Sequence, residues 1–198
     1  MSRKLLLLLV LLSATVMAHT PTRRHRVLVA EPDAPLLAGA PAKALGDFLM
    51  LLSPTERSLA LGEISMRVTD LLAAARAKLG SRYRVGSTGP TAFDCSGFTS
   101  YVFRQLGVSL ARSSQEQSRE GTLMSDPTQL RPGDLVFFGR SGRKSRTVNH
   151  VGIVTDTDPE RGTFSFIHSS TSQGVITSSS TDAYWSRRFV GGRRVLTD

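Results

Sequence analysis

The sequence contains one cysteine, Cys95, in a segment where a thiol could act as a nucleophile. The segment runs from Asp94 to Phe98 and is predicted to begin a helix. The N-terminus of a helix carries roughly half a positive charge, which favours thiolate over thiol, and its N–H groups can stabilise an oxyanion. A single cysteine also excludes an internal disulfide and a multi-cysteine metal site. Position alone leaves the alternative of a buried, inert cysteine open.

Two histidines could supply the base that such a thiol needs. His150 opens one predicted apolar strand, and His168 ends the next one along the chain. If these strands pair antiparallel, the two rings lie side by side at one end of the sheet, where one ring can orient the other. The other two histidines, His19 and His25, precede the predicted globular part. For an isolated histidine, the alternative is a capped residue at a strand end.

The elements that must position these side chains come as helices first and strands afterwards. Apolar residues recur at helical spacing from residue 65 to 79, before a stop at Gly80, and a second helix is predicted from Asp94 to Gly107. Shorter helices are predicted around residue 50 and after Ser53, which would cap the latter. Strands are predicted over residues 135–138, 150–155, 163–168 and 188–196. This order predicts an α+β domain, with N-terminal helices packed on a central antiparallel β-sheet.

Several motifs, taken in order, resemble the NlpC family of cell-wall cysteine peptidases over about residues 66 to 198. The resembling segments are Asp94-Cys95-Ser96-Gly97-Phe98 for the nucleophile, Arg131-Pro132-Gly133-Asp134-Leu135-Val136-Phe137-Phe138 for a strand, and Asn149-His150-Val151-Gly152-Ile153 for the base. His168 falls where the family places its third polar residue, and Tyr83 matches its tyrosine ahead of the cysteine. Each motif alone is weak, but the ordered set is specific.

The resemblance implies a papain-like fold and a role for each matched residue. Cys95 would be the nucleophile, His150 the general base and acid, and His168 the group that orients His150. The residues expected to line the substrate side or the oxyanion are Tyr83, Asp94 and Ser96, with Arg112 and Gln117 as secondary candidates. The resemblance implies no metal and no organic cofactor.

The first 18 residues have the three parts of a secretory signal. Arg3 and Lys4 precede an unbroken apolar run from Leu5 to Leu12, and small residues lead to Ala18. The apolar run is too short for a bilayer, which needs roughly 20 residues. We therefore expect cleavage after Ala18, export to the periplasm or the cell-wall side, and no stable membrane anchor; an uncleaved anchor is the alternative.

The rest of the chain divides into an N-terminal arm or linker with short helices, residues 19–65, and the peptidase-like domain, residues 66–198. The net charge of +9 would fall to +7 on loss of Arg3 and Lys4. A basic polymer-binding surface fits an anionic wall better than nucleic acid, because the basic residues are dispersed without an aromatic platform. A basic loop at residues 141–147 could rim the site, or simply be a solvated hairpin loop. We expect a monomer.

The function that the resemblance implies is hydrolysis of an amide in peptidoglycan stem peptides or cross-links. The candidate bonds are D-Glu–diaminopimelate and D-Ala–diaminopimelate, cut through a thioester acyl-enzyme. Two alternatives stay open at this point. One is a non-catalytic wall-binding protein of the same fold, and the other is a related papain-like amidase or acyltransferase.

Overall fold

The structure of this protein is a computed structural model that describes residues 50–140 and 147–196. The predicted signal at 1–18, most of the predicted arm and the basic loop up to residue 146 lie outside the described residues. Within the two described ranges, no helix is both long enough and apolar enough to cross a membrane.

The first helix, α1, runs from Pro54 to Arg76. The side chain of Ser53 accepts the backbone N–H of Glu56, and the Glu56 carboxylate accepts the backbone N–H of Ser53, which is a reciprocal capping box. The cap predicted at Ser53 is therefore confirmed, but the separate helix predicted from residue 65 is part of the same helix. The predicted boundary between arm and domain falls inside α1. Its last two turns bury Leu71, Leu72 and Ala75, whereas its first turns are exposed.

Six strands form one antiparallel sheet, as predicted. They are β3 (Thr122–Met124), β4 (Leu135–Phe138), β5 (His150–Asp158), β6 (Thr163–Ser170), β7 (Gly174–Ser179) and β8 (Phe189–Arg194). The order across the sheet is β3-β8-β4-β5-β6-β7, and every pairing in it is antiparallel. The central position of β5 places its first residue, His150, in the middle of one end of the sheet.

A two-stranded parallel pair lies ahead of the second helix. β1 (Arg82–Tyr83) pairs with β2 (Ala92–Phe93), so that Tyr83 stands opposite Phe93. The helix α2 (Cys95–Arg104) begins directly after Asp94, as predicted. The described residues also contain two single-turn α-helices, α3 (Ser114–Gln117) and α4 (Ala183–Ser186), and one 3₁₀ turn, Pro127–Gln129.

Apolar side chains bury both faces of the sheet. One cluster joins the sheet to the helices and contains Leu71, Ala75, Phe98, Val102, Phe103, Val151, Ile153 and Ile167. A second cluster contains Met124, Leu130, Phe138, Phe164, Phe166 and Phe189, with Trp185 packed against it. Because each fully buried aromatic side chain contributes a large apolar area, these clusters hold the sheet and α2 rigidly together.

The sequence patterns missed two of the six strands. β3 is three residues long, and β7 reads Gly-Val-Ile-Thr-Ser-Ser, with too few apolar residues to show a strand period. β7 forms because it pairs along β6 from Ser165 to Ser170. This missed strand carries a residue of the candidate site.

Candidate active site

The nucleophile candidate Cys95 is the first residue of α2, where Asp94 caps the helix. The Asp94 Oδ1 atom accepts the backbone N–H of Gly97 at 2.7 Å. An acidic or amide side chain at this position satisfies one of the N–H groups that a helix start leaves without a partner. The cap fixes the direction in which α2 begins and hence the position of the Cys95 side chain.

A loop ahead of β2 packs against the same helix start. The Gly86 N–H donates to Asp94 Oδ2 at 2.9 Å, and the Asp94 N–H donates to Ser87 O at 2.8 Å. Gly97 permits this approach, since a Cβ built on it would lie 2.2 Å from Ser87 O. Any larger residue at position 97 would push the loop away from the nucleophile.

The two candidate histidines meet at the end of the sheet, as predicted. The Nε2 atom of His150 lies 2.8 Å from the Nδ1 atom of His168, at hydrogen-bond distance. His168 is fully buried, and a Cβ built on Gly152 would lie 3.2 Å from its Cβ and 2.7 Å from a ring carbon of Phe166. Glycine at position 152 therefore provides the space in which the two rings lie together.

Cys95 reaches the beginning of β5, where His150 lies. The backbone N–H of Val151, the residue after His150, lowers the pKa of the Cys95 thiol, and Cys95 packs against the cluster that includes Val151. Because His168 takes the Nε2 atom of His150, the Nδ1 atom is the ring nitrogen left for the thiol. The tertiary structure thus joins His150 to His168 and packs Cys95 against the cluster that contains Val151, the residue after His150.

The Cys95 thiol is protonated in the resting site. Burial raises its pKa above the ordinary value, and the neighbouring Asp94 carboxylate raises it further. The N–H groups of Ser96, Val151 and Cys95 itself lower the pKa, but they do not outweigh burial. The N–H groups at the helix start thus favour the thiolate as expected, but burial outweighs them, and the thiol form prevails in the resting site.

Both histidines are neutral at physiological pH. Burial lowers the pKa of His150 to about 4. Burial, and then the proximity of His150, lower the pKa of His168 to about 3. A neutral imidazole can accept a proton, so the resting pair of thiol and imidazole is suited to proton transfer during attack rather than to a stored ion pair.

Two residues of the site were not predicted from sequence. The Trp185 ring stacks on His150, with centroids 5.2 Å apart and an interplanar angle of 28°, and its edge meets His168 at 4.9 Å. The Ser178 Oγ atom lies 3.0 Å from the Nε2 atom of His168. Trp185 also packs against the second apolar cluster. No local signal marks Ser178, because its strand was missed.

Tyr83 lies near the nucleophile, because it stands opposite Phe93 in the β1–β2 pair that leads into α2. Burial raises the pKa of its phenol, and the negative charges of Cys95, once ionised, and of Asp94 raise the pKa further. These couplings place Tyr83 close to both residues. The phenol therefore keeps its proton and can donate a hydrogen bond.

Asp94, Ser96 and Arg112 form one polar group beside the nucleophile. Arg112 donates to both Asp94 carboxylate oxygens and, at 3.1 Å, to Ser96 Oγ. Burial works to raise the pKa of Asp94, but the hydrogen bonds from Arg112, Gly97 and Gly86 outweigh it and hold the pKa below the ordinary value. Asp94 is thus ionised and paired, while Arg112 remains 47% exposed at the surface.

Gln117 does not lie on the substrate side. It is fully buried, and its amide binds Thr99 Oγ1 at 2.8 Å, Ala111 O at 2.8 Å and Ser100 Oγ at 3.0 Å. The prediction that Gln117 contacts substrate is therefore corrected, because all of its polar atoms serve to join α3 to α2. It holds the segment that carries Arg112.

A cationic cleft of about 560 Å³ opens beside Tyr83. Its lining includes the exposed residues Arg82 and Arg84, with Ser81 and Ala92. Tyr83 lies between the two arginines along the chain and lines the cleft with them, so the cleft adjoins the β1–β2 pair that leads into α2. It is large enough for part of a peptide and suited to carboxylates.

Within the described residues, no group of three or more His, Cys, Asp or Glu side chains could hold a metal ion. The chemistry that the arrangement can perform is nucleophilic attack by a thiol, with an imidazole as proton acceptor.

A cysteine at a helix N-terminus, packed on an antiparallel sheet whose end carries a histidine, is the arrangement of the papain-like class of α+β folds. The chain belongs to the NlpC/P60 family, whose model matches residues 80–194. It is 44% identical over 119 residues to the murein DD-endopeptidase MepS/murein LD-carboxypeptidase of Escherichia coli K12, covering 60% of this chain and 57% of that protein. It is 37% identical over 119 residues to a probable endopeptidase NlpC homolog of Haemophilus influenzae, with the same coverage. The chain thus spans 57% of the length of these curated relatives.

Solved structures share the fold. An NlpC/P60 family protein from Bacillus cereus superposes with a TM-score of 0.59 at 30% identity, over 66% of this chain and 40% of that one. The peptidoglycan hydrolase RipB from Mycobacterium tuberculosis superposes with a TM-score of 0.56 over 79% of this chain and 81% of its own. At 23% identity, the likeness to RipB shows the fold alone.

Proposed function

We propose that this protein is a cysteine peptidase that hydrolyses an amide bond in peptidoglycan stem peptides or their cross-links. The observation that supports the proposal is the His150–His168 pair at the end of the sheet, with Cys95 at the start of α2 packed against the cluster that contains Val151, the next residue along β5. The name of the Escherichia coli relative favours the D-Ala–diaminopimelate cross-link over the D-Glu–diaminopimelate bond. The protein acts outside the cytoplasm, where its substrate lies.

Attack begins from the neutral pair. The Cys95 sulfur bonds to the carbonyl carbon while its proton passes to the Nδ1 atom of His150, and the carbonyl electron pair moves onto oxygen. The resulting imidazolium donates its other N–H to the Nδ1 atom of His168, 2.8 Å away. His168 thereby holds the base in place and stabilises the charge formed on it.

The intermediate then loses its amine. The His150 imidazolium gives its proton to the leaving nitrogen, the C–N bond breaks, and a thioester with Cys95 remains. A water molecule attacks the thioester and gives a proton to His150, which returns it to the sulfur as the carboxylic acid product leaves. The overall reaction consumes one water and needs no cofactor.

The developing oxyanion has donors nearby. The backbone N–H of Cys95 lies at the helix start, and the Tyr83 phenol keeps its proton because burial raises its pKa. Donors held in place before the reaction stabilise an oxyanion more strongly than mobile water does. Asp94 and Ser96, bound to Arg112, hold the wall of the site next to these donors.

The substrate class agrees with the charge around the cleft. Stem peptides carry free carboxylates, and Arg82 and Arg84 line the cleft beside Tyr83. Asp94 is neutralised by Arg112, so its carboxylate does not repel these groups. Arg112, which is half-exposed, is a further candidate contact for a substrate carboxylate.

The test is digestion of defined cross-linked muropeptides by the full chain, with products identified by mass spectrometry. Wild type should release monomers with a mass gain of one water per bond, and Cys95→Ala should release none. Cys95→Ser is the matched control, because it keeps the size and a hydroxyl but should retain little activity without a thiol.

The products separate the competing functions. Binding to peptidoglycan with unchanged muropeptides would favour a non-catalytic wall-binding protein. Transfer of an acyl group to an added amine would indicate an acyltransferase, and cleavage between glycan and peptide would indicate an amidase. Equal activity of wild type and Cys95→Ala would refute the proposal.

A further inference from the structure

A hydroxyl group extends the pair of histidines by one further hydrogen bond. The Nε2 atom of His168 lies 3.0 Å from Ser178 Oγ, and His168 is fully buried. The two residues lie diagonally on neighbouring strands, because His168 stands opposite Ile176 while Ser178 stands opposite Phe166. Two successive hydrogen bonds therefore connect the ring of His150 through the ring of His168 to Ser178.

His150 can act as the base only if it donates its hydrogen bond to His168 and His168 donates to Ser178. If the Nδ1 atom of His150 is to accept the thiol proton, the hydrogen of that ring must be on Nε2, where it donates to His168 Nδ1. His168 must then carry its own hydrogen on Nε2, and that N–H needs an acceptor. The opposite tautomer of His168 would donate from Nδ1 and leave His150 protonated on the nitrogen meant for the thiol.

We propose that Ser178 is a positioning residue that holds His168 in the Nε2–H tautomer by accepting its hydrogen bond. The inference rests on the proposed function, since it concerns the same reaction. Removing the hydroxyl would leave the buried Nε2–H of the productive tautomer without an acceptor, so the variant should hold that tautomer less firmly. The acceptor at Ser178 matters most once His150 is an imidazolium. Both N–H groups of His150 then donate, so the Nδ1 atom of His168 must accept and its Nε2–H must donate to Ser178.

Surrounding groups make the hydroxyl hard to replace. The Phe166 ring lies 5.0 Å from the His168 ring, and Trp185 covers the other side at 4.9 Å. His168 has no exposed surface through which water could supply an acceptor. Ser178 on β7 is thus the acceptor that the fold provides, and a bond that is polarised along a chain is worth more than the same bond in isolation.

The kinetic test compares three variants of the full chain. Ser178→Ala should lower kcat about tenfold, equal to about 1.4 kcal/mol, with KM changed less than about twofold. Ser178→Thr, which keeps a hydroxyl, should recover most of kcat. Thr177→Ala is the matched control, because it removes a hydroxyl from the adjacent, exposed position of the same strand and should leave kcat unchanged.

The second readout is the tautomer itself, from ¹⁵N spectra of protein labelled in histidine. Wild type should show His168 protonated on Nε2, and Ser178→Ala should lose that signature while Thr177→Ala keeps it. A wild-type His168 protonated on Nδ1 would overturn the inference, as would a Ser178→Ala protein with the kcat and spectrum of Thr177→Ala. If Ser178→Ala does not fold, the wild-type spectrum still decides.

Failure of the proposed function is distinguishable from failure of this inference. A wild-type protein that releases no muropeptide fragments refutes the function. The rate at which iodoacetamide alkylates Cys95, the one cysteine, then replaces kcat as the measure of proton transfer to His150. Slower alkylation in Ser178→Ala than in Thr177→Ala supports the inference, and equal rates overturn it.

Discussion

Acid should destabilise this protein well above the pH at which its carboxylates titrate, because two histidines are buried as neutral rings. The pKa of His150 is about 4 and that of His168 about 3, against about 6.5 in an unfolded chain. Both values are lowered by folding, so the unfolded state binds more protons below about pH 6.5. Stability is therefore full above that pH and is lost as the pH falls toward the folded-state values.

The magnitude follows from the shifts. At about pH 5, each histidine is almost fully protonated when unfolded and mostly neutral when folded, which costs about 2 kcal/mol per ring. The two rings together should lower the free energy of unfolding by about 4 kcal/mol between about pH 7.5 and about pH 5. That is a large share of the roughly 5–15 kcal/mol available to a domain.

Other groups have small or opposite effects in this window. Asp94 stays ionised, because its pKa lies below the ordinary value despite its burial. Burial raises the pKa of Asp134, which would favour the folded state as the pH falls. Comparing wild type with a variant that lacks one histidine cancels the contributions of Asp94 and Asp134, because both proteins contain these two carboxyl groups.

The assay is urea denaturation followed by far-UV circular dichroism at both pH values, for wild type and His168→Gln. The variant should lose about half of the pH dependence, about 2 kcal/mol, because one of the two buried rings is gone. The reasoning is refuted if the wild-type free energy of unfolding changes by less than about 1 kcal/mol. It is equally refuted if His168→Gln shows the same change as wild type.

Three further predictions concern the groups around the nucleophile. Asp94→Ala removes the helix cap and an ion pair and should lower the free energy of unfolding by about 2 kcal/mol in urea denaturation. Asp94→Asn keeps a cap, so its free energy of unfolding should fall by about half of that amount. Gly97→Ala places a Cβ about 2.2 Å from Ser87 O and should cost about 1–3 kcal/mol and raise KM, while Gly62→Ala, which meets nothing within 4 Å, should do neither. Trp185→Ala exposes the histidine pair to solvent, so kcat should fall about tenfold. The pKa of His150 should rise toward its ordinary value in an NMR titration, because burial no longer lowers it. An unchanged pKa would contradict the role of burial.

Much of the site could be predicted because its residues carry local signals. Cys95 follows a capping aspartate. His150 and His168 lie at the ends of apolar segments whose residue pattern is typical of β-strands. Antiparallel pairing of consecutive strands then brings the two rings together with no further information. The tyrosine and the arginine were found through resemblance to a family and not from any pattern of their own.

Other assignments failed because long-range packing decided them. Gln117 is a polar residue in a polar segment, and only the packing of α3 against α2 buries it. The helix start favours a thiolate at Cys95, but burial, which depends on the packing of the whole domain, raises the pKa of the thiol by more. Ser178 and Trp185 join the site from strands and turns that are distant in sequence and close only in the folded chain.

The sequence by itself determined which residues can do chemistry, the α+β order of elements and the side-by-side placement of the histidines, because caps, strand ends and consecutive antiparallel pairing are local properties. The tertiary structure alone decided the protonation of the site, the pairing of Arg112 with Asp94, and the residues that enclose His150 and His168. The physical reason is that pKa values and buried hydrogen bonds depend on what surrounds a group from every side. Those surroundings come from α2, β6, β7 and α4, which meet only once the sheet has formed.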